Sequence, residues 1–402
     1  MRFRYRAAGV CGEITRNQAI YLAGLPFTPN DKMAVLRAVC PRWTKSTSTP
    51  VSRLLCRRKF TSSSRSIGAN NAKSISEAFL NKFSQGQTFV RSQLLDANQL
   101  RLFSLTLDRP HLWSSSNSSS GHDLEDKEPL SGTPIPPYYH LVYFTPAQLP
   151  GRLGLDGTDA SFNPDAPFTR RMWAGGSCHW VGANPNNAST QALLRVGEMA
   201  TETTKVLSCE PKVIGKTGED MLVVRVEKEF RNSKDELCVL DRRNWVFRTA
   251  LDPTKPATTV PKPAELSVSE LEQAATGKVV REYNRDEAML FRFSALTFNA
   301  HRIHYDKPWA RDVEGHRNVV VHGPMNLMAM LDHWRDAKAP SQDGDGSFFP
   351  EKIEYRATSP VYAGEAYRVM MDEDAVRQKV ADVNVISNDG TTCMKGTISD
   401  WS

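Results

Sequence analysis

The chain has 402 residues and a formal net charge of +6, with 40% hydrophobic and 24% charged residues. This length and composition fit one large or two ordinary globular domains. Gly and Pro occur 24 times each, which excludes a collagen-like chain, and no apolar run approaches the roughly 18 residues that a membrane span needs. The 7 cysteines show no CxxC pair or metal-like spacing, so we expect a reducing compartment and no disulfide framework or structural zinc.

The positive charge is concentrated at the N-terminus. Residues 1–60 contain 12 Lys and Arg but only Glu13 and Asp31 as acidic residues. From Ala34 to Ile75 there is no acidic residue, and basic residues alternate with Ser, Thr and small apolar residues. This composition predicts a mitochondrial transit peptide over residues 1–60, with residues 1–32, before Met33, as a candidate upstream extension. A basic arm that binds nucleic acid is the alternative, but few aromatic residues accompany these charges.

The next part of the chain is predicted to form a first domain over residues 76–250. Residues 76–113 are predicted to be mostly helical. The Ser-rich stretch 114–132 is predicted to be a disordered loop, since it has little to bury. From residue 177 onwards, apolar Leu222, Val224, Val226 and Phe230 alternate with charged residues, which predicts antiparallel strands with one buried face.

A Pro-rich linker over residues 252–263 separates this domain from a second one, predicted over residues 264–402. Residues 325–334 form an apolar helix that Pro324 begins, and this helix is apolar on nearly every side. Strands are predicted at 352–357, 366–372, 381–387 and 391–400, with a hairpin turn at Asn388-Asp389-Gly390. A buried helix followed by antiparallel strands is typical of the hotdog architecture. Two halves of similar length therefore predict an α+β double hotdog, two long helices each wrapped by an antiparallel sheet, although other α+β folds fit the pattern.

The densest group of proton-transfer side chains lies between Ser294 and Asp306. His301 and His304 stand three residues apart, with Asn299 and Asp306 beside them, shortly before the His322-Gly323 helix start. Histidine exchanges protons near neutral pH, and backbone N–H groups at a helix N-terminus can polarise a carbonyl. The pattern indicates acid/base chemistry. Two alternatives remain. His301 and His304 could be core histidines whose hydrogen bonds are satisfied within the fold or, as the spacing favours less, they could bind a metal.

Three motifs in order resemble the MaoC-like or hydratase-2 family of hotdog enzymes. They are Asn299-x-His301-x-x-His304-x-Asp306, then Val320-Val321-His322-Gly323-Pro324, then Ser359-Pro360-Val361-Tyr362-Ala363-Gly364-Glu365. The stretches 291–306 and 170–176 are similar to the fungal mitochondrial hydroxyacyl-thioester dehydratases of type 2 and to bacterial mesaconyl- and itaconyl-CoA hydratases. The resemblance covers roughly residues 76–402.

The resemblance implies reversible dehydration of 3-hydroxyacyl thioesters to 2-enoyl thioesters, without a metal or organic cofactor. It implies that His304 is the catalytic histidine, and that residues 264–402 carry the site beside a degenerate first hotdog. Asn299 stands where the family motif has its Asp, and His301 where it has an Asn. Because Asn cannot exchange a proton, we expect Asn299 to position water or hydroxyl and His301 to orient or carry a second proton. Asp306 is expected either to orient a histidine or to cap a helix.

The resemblance also bears on partners. The expected substrate is an acyl-CoA or acyl carrier protein thioester in mitochondrial fatty-acid synthesis, in the mitochondrial matrix. Arg170 and Arg171 are candidate contacts for its phosphate, and with Arg242 and Arg243 they could form a docking patch for an acidic carrier protein. A homodimer is an open prediction, whereas nucleic acid and a membrane span are not expected. The alternatives are an itaconyl- or mesaconyl-CoA hydratase, a non-catalytic acyl-binding subunit and, less favoured, a thioesterase.

Overall fold

The computed structural model describes residues 69–83, 86–113, 123–185, 191–215, 217–339 and 348–401. The predicted transit peptide and its candidate extension over residues 1–32 lie outside the described residues. So do residues 114–122 of the Ser-rich stretch. Residues 123–132 correct the prediction of a disordered loop, because Leu124 is buried and its N–H donates to the carbonyl of Pro110 at 2.8 Å.

The two halves of the described chain follow a similar order of helices and strands, except that the second half has one more α-helix before its last four strands. The elements of the first half are α1 (Ala69–Lys82), β1 (Thr88–Leu94), α2 (Ala97–Thr106), β2 (Arg170–His179), β3 (Met199–Val213), β4 (Asp220–Arg231) and β5 (Leu237–Arg248). Those of the second half are α3 (Val268–Ala274), β6 (Lys278–Asn284), α4 (Glu287–Leu296), α5 (Gly323–Lys338), β7 (Lys352–Ala357), β8 (Ala366–Asp372), β9 (Val380–Ser387) and β10 (Thr392–Ser399).

The strands form one antiparallel sheet in the order β1-β3-β4-β5-β2-β7-β10-β9-β8-β6. The order reads the same from both edges, with each half contributing five strands in matching positions. The halves meet at β2 and β7, where Gly176 lies opposite Tyr355. The predicted strands of the second half are confirmed nearly residue for residue, because their alternating pattern places one face against the core.

Helix α5 is the central helix of the second half. It contacts β8, β9 and β10, and its residues from Met325 to Arg335 are buried. The sequence prediction of a buried helix that begins near Pro324 is confirmed. A helix buried on nearly all sides needs a sheet around it to cover its apolar surface, and this arrangement is the hotdog architecture.

In the first half, a helix from a different position in the chain packs against the sheet. The position equivalent to α5 lies between α2 and β2, where the described residues form two short 3₁₀ turns, Tyr139–Val142 and Pro150–Arg152, but no α-helix. The prolines of this segment disfavour a helix. Helix α1 instead contacts β3 and β4, and its Ala72 and Phe79 share a core with Leu222, Val224 and Val226. The α+β double hotdog is thus confirmed, with the first long helix taken from a different place in the chain.

Candidate active site

The segment that follows α4 carries Asn299, His301 and His304 over the N-terminal end of α5. Asp286 caps α4 by accepting a hydrogen bond from the Met289 N–H at 2.8 Å. After α4 ends, Phe298 adopts a left-handed φ of 49°, which turns the chain. The side-chain oxygen of Asn299 then accepts from the His301 N–H at 3.1 Å. These contacts fix the direction in which the two histidines leave the backbone.

His304 is buried and has a defined tautomer. Its Nδ1 lies 2.7 Å from the carbonyl oxygen of Val320, and a carbonyl can only accept, so Nδ1 carries a proton. Burial lowers the pKa of His304 to about 4, although the bond to Val320 favours the protonated form. At neutral pH the imidazole is therefore uncharged, with the lone pair on Nε2. This arrangement suits a general base.

His322 lies against His304 and precedes the first residue of α5. The two imidazole rings stack with centroids 3.6 Å apart. His322 Nε2 lies 2.9 Å from the Ser294 hydroxyl on α4. Burial lowers the pKa of His322 well below its ordinary value, and His304 lowers it further. His322 is thus a neutral platform that holds the ring plane of His304.

His301 lies edge-on to His304, with ring centroids 5.3 Å apart. Its Nε2 points toward the carboxylate of Asp156, at 3.8 Å from Oδ2. Burial lowers the pKa of His301 well below its ordinary value, with smaller contributions from His304 and Arg171. The structure therefore brings Asn299, His301, His304 and His322 together, and it adds a carboxylate from the first half.

The N-terminus of α5 completes the cluster. The N–H groups of Met325 and Asn326 both donate to the His322 carbonyl, and Pro324 has none. This leaves the Gly323 N–H as a donor that no described residue engages. A Cβ at Gly323 would lie 2.4 Å from the Trp173 ring, so only Gly fits under this indole. An unengaged N–H at a helix N-terminus can hold a developing negative charge.

Asp306 bonds to none of the histidines of this cluster in the described structure. Its Oδ2 accepts from the Arg302 guanidinium at 2.6 and 2.9 Å, and its Oδ1 accepts from the Trp309 N–H at 3.1 Å. The second bond caps the helical turn that begins at Lys307, directly after Asp306. Of the two roles predicted for Asp306, the geometry matches capping.

The four arginines proposed as a patch have separate protein partners. Arg170 pairs with Glu314. The guanidinium of Arg171 lies over Trp245 at 5.0 Å, with Asp159 at 3.8 Å. Arg242 pairs with Glu227 at 2.7 Å, and Arg243 pairs with the fully buried Asp241 at 2.6 Å. Successive residues of a strand point to opposite faces, so adjacent arginines do not share one surface. Contact of Arg170 and Arg171 with a substrate phosphate stays a prediction.

Sequence reasoning missed Asp156, Ser294, Val320 and Trp173. The Ser294 and Val320 contacts depend on how α4 and the strand-like segment before α5 pack. For Asp156 one local signal was present, since Asp156-Gly157 is a turn pair, but a turn does not reveal which distant residue it faces. In the described ranges, no group of three His, Cys, Asp or Glu side chains is arranged to hold a metal ion. Within the same ranges, no helix is long and apolar enough to cross a bilayer.

The low pKa values of these histidines predict acid destabilisation. The unfolded chain binds protons at its histidines below about pH 6.5, whereas folded His304 resists protonation down to about pH 4. Its contribution to stability is thus present above about pH 6.5 and is lost as the pH falls toward 4. We expect urea unfolding to show that His304 alone contributes a loss of about 1 kcal/mol at about pH 5.5 relative to pH 7. The loss measured between these pH values should therefore be smaller by about that amount in His304→Asn. An equal loss in both proteins would contradict a lowered pKa of His304.

The sequence model of the hydroxyacyl-thioester dehydratase type 2 family matches residues 138–363, more than half of the chain. The chain belongs to this family. It is 29% identical over 272 residues to a mesaconyl-C(4)-CoA hydratase of Chloroflexus aurantiacus, covering 67% of this chain and 85% of that protein. It is 24% identical over 253 residues to the mitochondrial hydroxyacyl-thioester dehydratase type 2 of Schizosaccharomyces pombe, covering 60% and 79%.

Among solved structures, a MaoC-like dehydratase from Phytophthora capsici aligns with 79% of this chain and 96% of its own, at 12% identity and a TM-score of 0.49. The family and its relatives are named as dehydratases or hydratases. The chain is therefore an enzyme of the hydro-lyase class, as the three sequence motifs predicted.

Proposed function

We propose that this protein catalyses the reversible dehydration of 3-hydroxyacyl thioesters to 2-enoyl thioesters. The observation that carries the proposal is the state of His304, whose Nδ1 is fixed on the Val320 carbonyl at 2.7 Å. A neutral imidazole with its lone pair on Nε2 lies beside the N-terminus of α5. Elimination across C2 and C3 needs a base and a stabilised thioester oxygen. His304 Nε2 would supply the base, and the N–H group at the start of α5 would stabilise the oxygen.

In the dehydration direction, the Gly323 N–H would hold the thioester oxygen while His304 Nε2 accepts the C2 proton. The electron pair of the C2–H bond moves into the enolate and then forms the C2–C3 double bond. The C3–O bond breaks, and the His304 imidazolium returns the same proton to the departing hydroxyl, which leaves as water. The Asn299 amide would position that hydroxyl. No net proton remains on the enzyme, and hydration follows the same steps in reverse.

The proposed substrates are thioesters of coenzyme A or an acyl carrier protein, and the proposed setting is mitochondrial fatty-acid synthesis in the matrix. The basic, acid-poor residues 34–75 support this location. Two fungal relatives are named as mitochondrial hydroxyacyl-thioester dehydratases, which supports the substrate class. Dehydration of the 3-hydroxyacyl group is the step that such a synthesis requires.

A second candidate is hydration of a short dicarboxylic enoyl-CoA. It is favoured by the relative named mesaconyl-C(4)-CoA hydratase, 85% of which is covered by the match. It also needs a cation for the distal carboxylate. Arg171 lies close enough to His301 to lower the pKa of that imidazole, and its ion-pair partner Asp159 is 3.8 Å away. Arg171 is therefore the residue that would distinguish the two substrates.

A substrate panel tests both proposals with the full chain. Hydration of crotonyl-, decenoyl-, itaconyl- and mesaconyl-C(4)-CoA is measured for the protein and for Arg171→Gln, with decenoyl carrier protein as a fifth substrate. We expect turnover of the linear thioesters, and any loss that Arg171→Gln causes through the predicted phosphate contact should be equal for all the CoA substrates. If Arg171 instead binds the distal carboxylate, hydration of the dicarboxylic thioesters should fall about 10-fold or more relative to crotonyl-CoA.

Each outcome decides between the candidates. Turnover of the dicarboxylic thioesters alone, lost in Arg171→Gln, would overturn the fatty-acid proposal in favour of the second candidate. Turnover of decenoyl carrier protein alone would support the first candidate with a strict carrier requirement. A folded protein that turns over none of the five would contradict both candidates and support an acyl-binding subunit without activity.

A further inference from the structure

A short turn of the first half reaches the active site of the second. The turn runs from Leu153 to Asp159, which form an isolated antiparallel bridge. At its tip, the Asp156 carbonyl accepts a hydrogen bond from the Arg302 N–H at 2.8 Å. Gly157 has a left-handed φ of 81°, and a Cβ there would lie 2.0 Å from the Ala300 carbonyl oxygen. The turn is therefore held against the His301 segment by backbone contacts that only a Gly permits.

This docking places the Asp156 side chain in a defined orientation. Its Oδ1 accepts from the Thr158 N–H at 3.0 Å and from the Thr158 hydroxyl at 2.6 Å. Its Oδ2 is buried and has no hydrogen-bond partner among the described residues, and the same is true of His301 Nε2. These two atoms face each other at 3.8 Å. An approach of about 1 Å would give an ordinary hydrogen bond, and buried polar atoms otherwise remain unsatisfied at a cost.

We propose that Asp156 is a positioning residue that fixes His301 with its proton on Nε2, so that His301 Nδ1 can accept a hydrogen bond from the C3 hydroxyl or the incoming water. This inference rests on the proposed function. The second half places the Asn299 amide beside His301, and Asp156 supplies a carboxylate to the same histidine from the first half. In this proposal Asp156 acts through His301 and not on the substrate, as an orienting carboxylate does beside a catalytic histidine.

Several other charged or titratable groups bear on His301. His304, Arg171, Arg170 and His316 each favour its neutral form. A neutral imidazole carries one ring proton, on either Nε2 or Nδ1. The nitrogen that carries the proton donates a hydrogen bond, and the other nitrogen accepts one. Asp156 favours Nε2 because a carboxylate oxygen only accepts.

Asp156→Asn is a sharp test because the turn dictates how the amide sits. The Thr158 N–H needs an acceptor, so the amide oxygen takes the place of Oδ1 and the NH₂ group faces His301 Nε2. A donor facing Nε2 requires Nε2 to accept, so the proton of neutral His301 moves to Nδ1. A protonated Nδ1 can no longer accept a hydrogen bond from the substrate hydroxyl. Asp156→Glu retains a carboxylate. Asp165→Asn, which removes an exposed carboxylate from the same connecting segment, is the matched control.

Two measurements on the full chain are made with these variants. The tautomer of His301 is read from the ¹⁵N chemical shifts of labelled histidine. The His301 signal is identified as the one that is absent from the spectrum of His301→Gln. We expect Nε2–H in the starting protein and in Asp165→Asn, and Nδ1–H in Asp156→Asn. Hydration of the best substrate of the panel should fall at least about 10-fold in kcat in Asp156→Asn, with KM nearly unchanged and part of the rate restored in Asp156→Glu.

The outcomes separate this inference from the proposed function. An unchanged His301 tautomer in Asp156→Asn would overturn the inference, and so would an unchanged kcat in a protein that does hydrate enoyl thioesters. Absence of hydration in the starting protein would refute the proposed function, while the tautomer measurement would still decide whether Asp156 sets His301. A loss of rate that Asp165→Asn shares would assign the effect to general charge and contradict the role of Asp156.

Discussion

Replacing His304 with asparagine is expected to slow enoyl-thioester hydration by about 10²–10⁴-fold, the range for loss of a positioned acid/base. The Asn amide can still donate to the Val320 carbonyl, which lies 2.7 Å from His304 Nδ1, so the local backbone keeps its partner. What the variant loses is the Nε2 lone pair. We therefore expect kcat to fall much more than KM rises, because the base acts in the transition state.

His333→Gln is the matched control for this variant. His333 is also buried, on α5, and its Nε2 lies 3.0 Å from the Val279 carbonyl, so the Gln amide can keep that bond. The control should retain its hydration rate. An activity loss of similar size in both variants would show that the effect comes from packing around α5 rather than from a base at His304.

The pH profile gives a second check on the same residue. Since burial lowers the pKa of His304 to about 4, the base is unprotonated at neutral pH. Values of kcat/KM should therefore be flat from about pH 6 to about pH 8 and should fall as the pH drops toward that pKa. A fall centred near the ordinary histidine pKa of about 6.5 would contradict a buried His304 as the base.

Removal of Asp332 is expected to destabilise the protein by about 3–5 kcal/mol, the cost of leaving a buried charge without its partner. Asp332 lies on α5 and accepts hydrogen bonds from Arg335 Nε and from the Tyr139 hydroxyl, each at 2.9 Å. Arg335 has a side chain that is 2% exposed. In Asp332→Ala this guanidinium remains buried and loses its carboxylate. The same substitution also removes a contact between the second half and the 3₁₀ turn that contains Tyr139.

The comparison for Asp332→Ala is Asp372→Ala, measured by urea unfolding of the full chain. Asp372 pairs with Lys278 at the surface, with a side chain 60% exposed, and exposed pairs contribute about 0–1 kcal/mol. A double variant, Asp332→Leu with Arg335→Met, removes both buried charges and should recover part of the lost stability. Equal effects of Asp332→Ala and Asp372→Ala, or no recovery in the double variant, would contradict the buried-charge explanation.

Much of the fold could be predicted from local pattern. Leu222, Val224 and Val226 recur at every second position because they point to the same buried face of β4, and each is 0% exposed. The apolar run after Pro324 predicted α5 for the same reason. Strand β1 was missed within a stretch predicted as mostly helical. It pairs through the backbone with β3, and most of its side chains are exposed, so burial imposed no strong pattern on its sequence.

The sequence by itself determined which residue types could do chemistry, because His301, His304, His322 and Gly323 lie in two short motifs within 23 residues. The tertiary structure alone decided their chemical states. The Val320 carbonyl sets the tautomer of His304, Ser294 bonds His322, and Asp156 approaches His301 from the other half of the chain. Proton positions depend on partners within about 3–4 Å. Asp156 and His301 lie far apart in the sequence and reach that distance only when the two halves of the sheet join at β2 and β7.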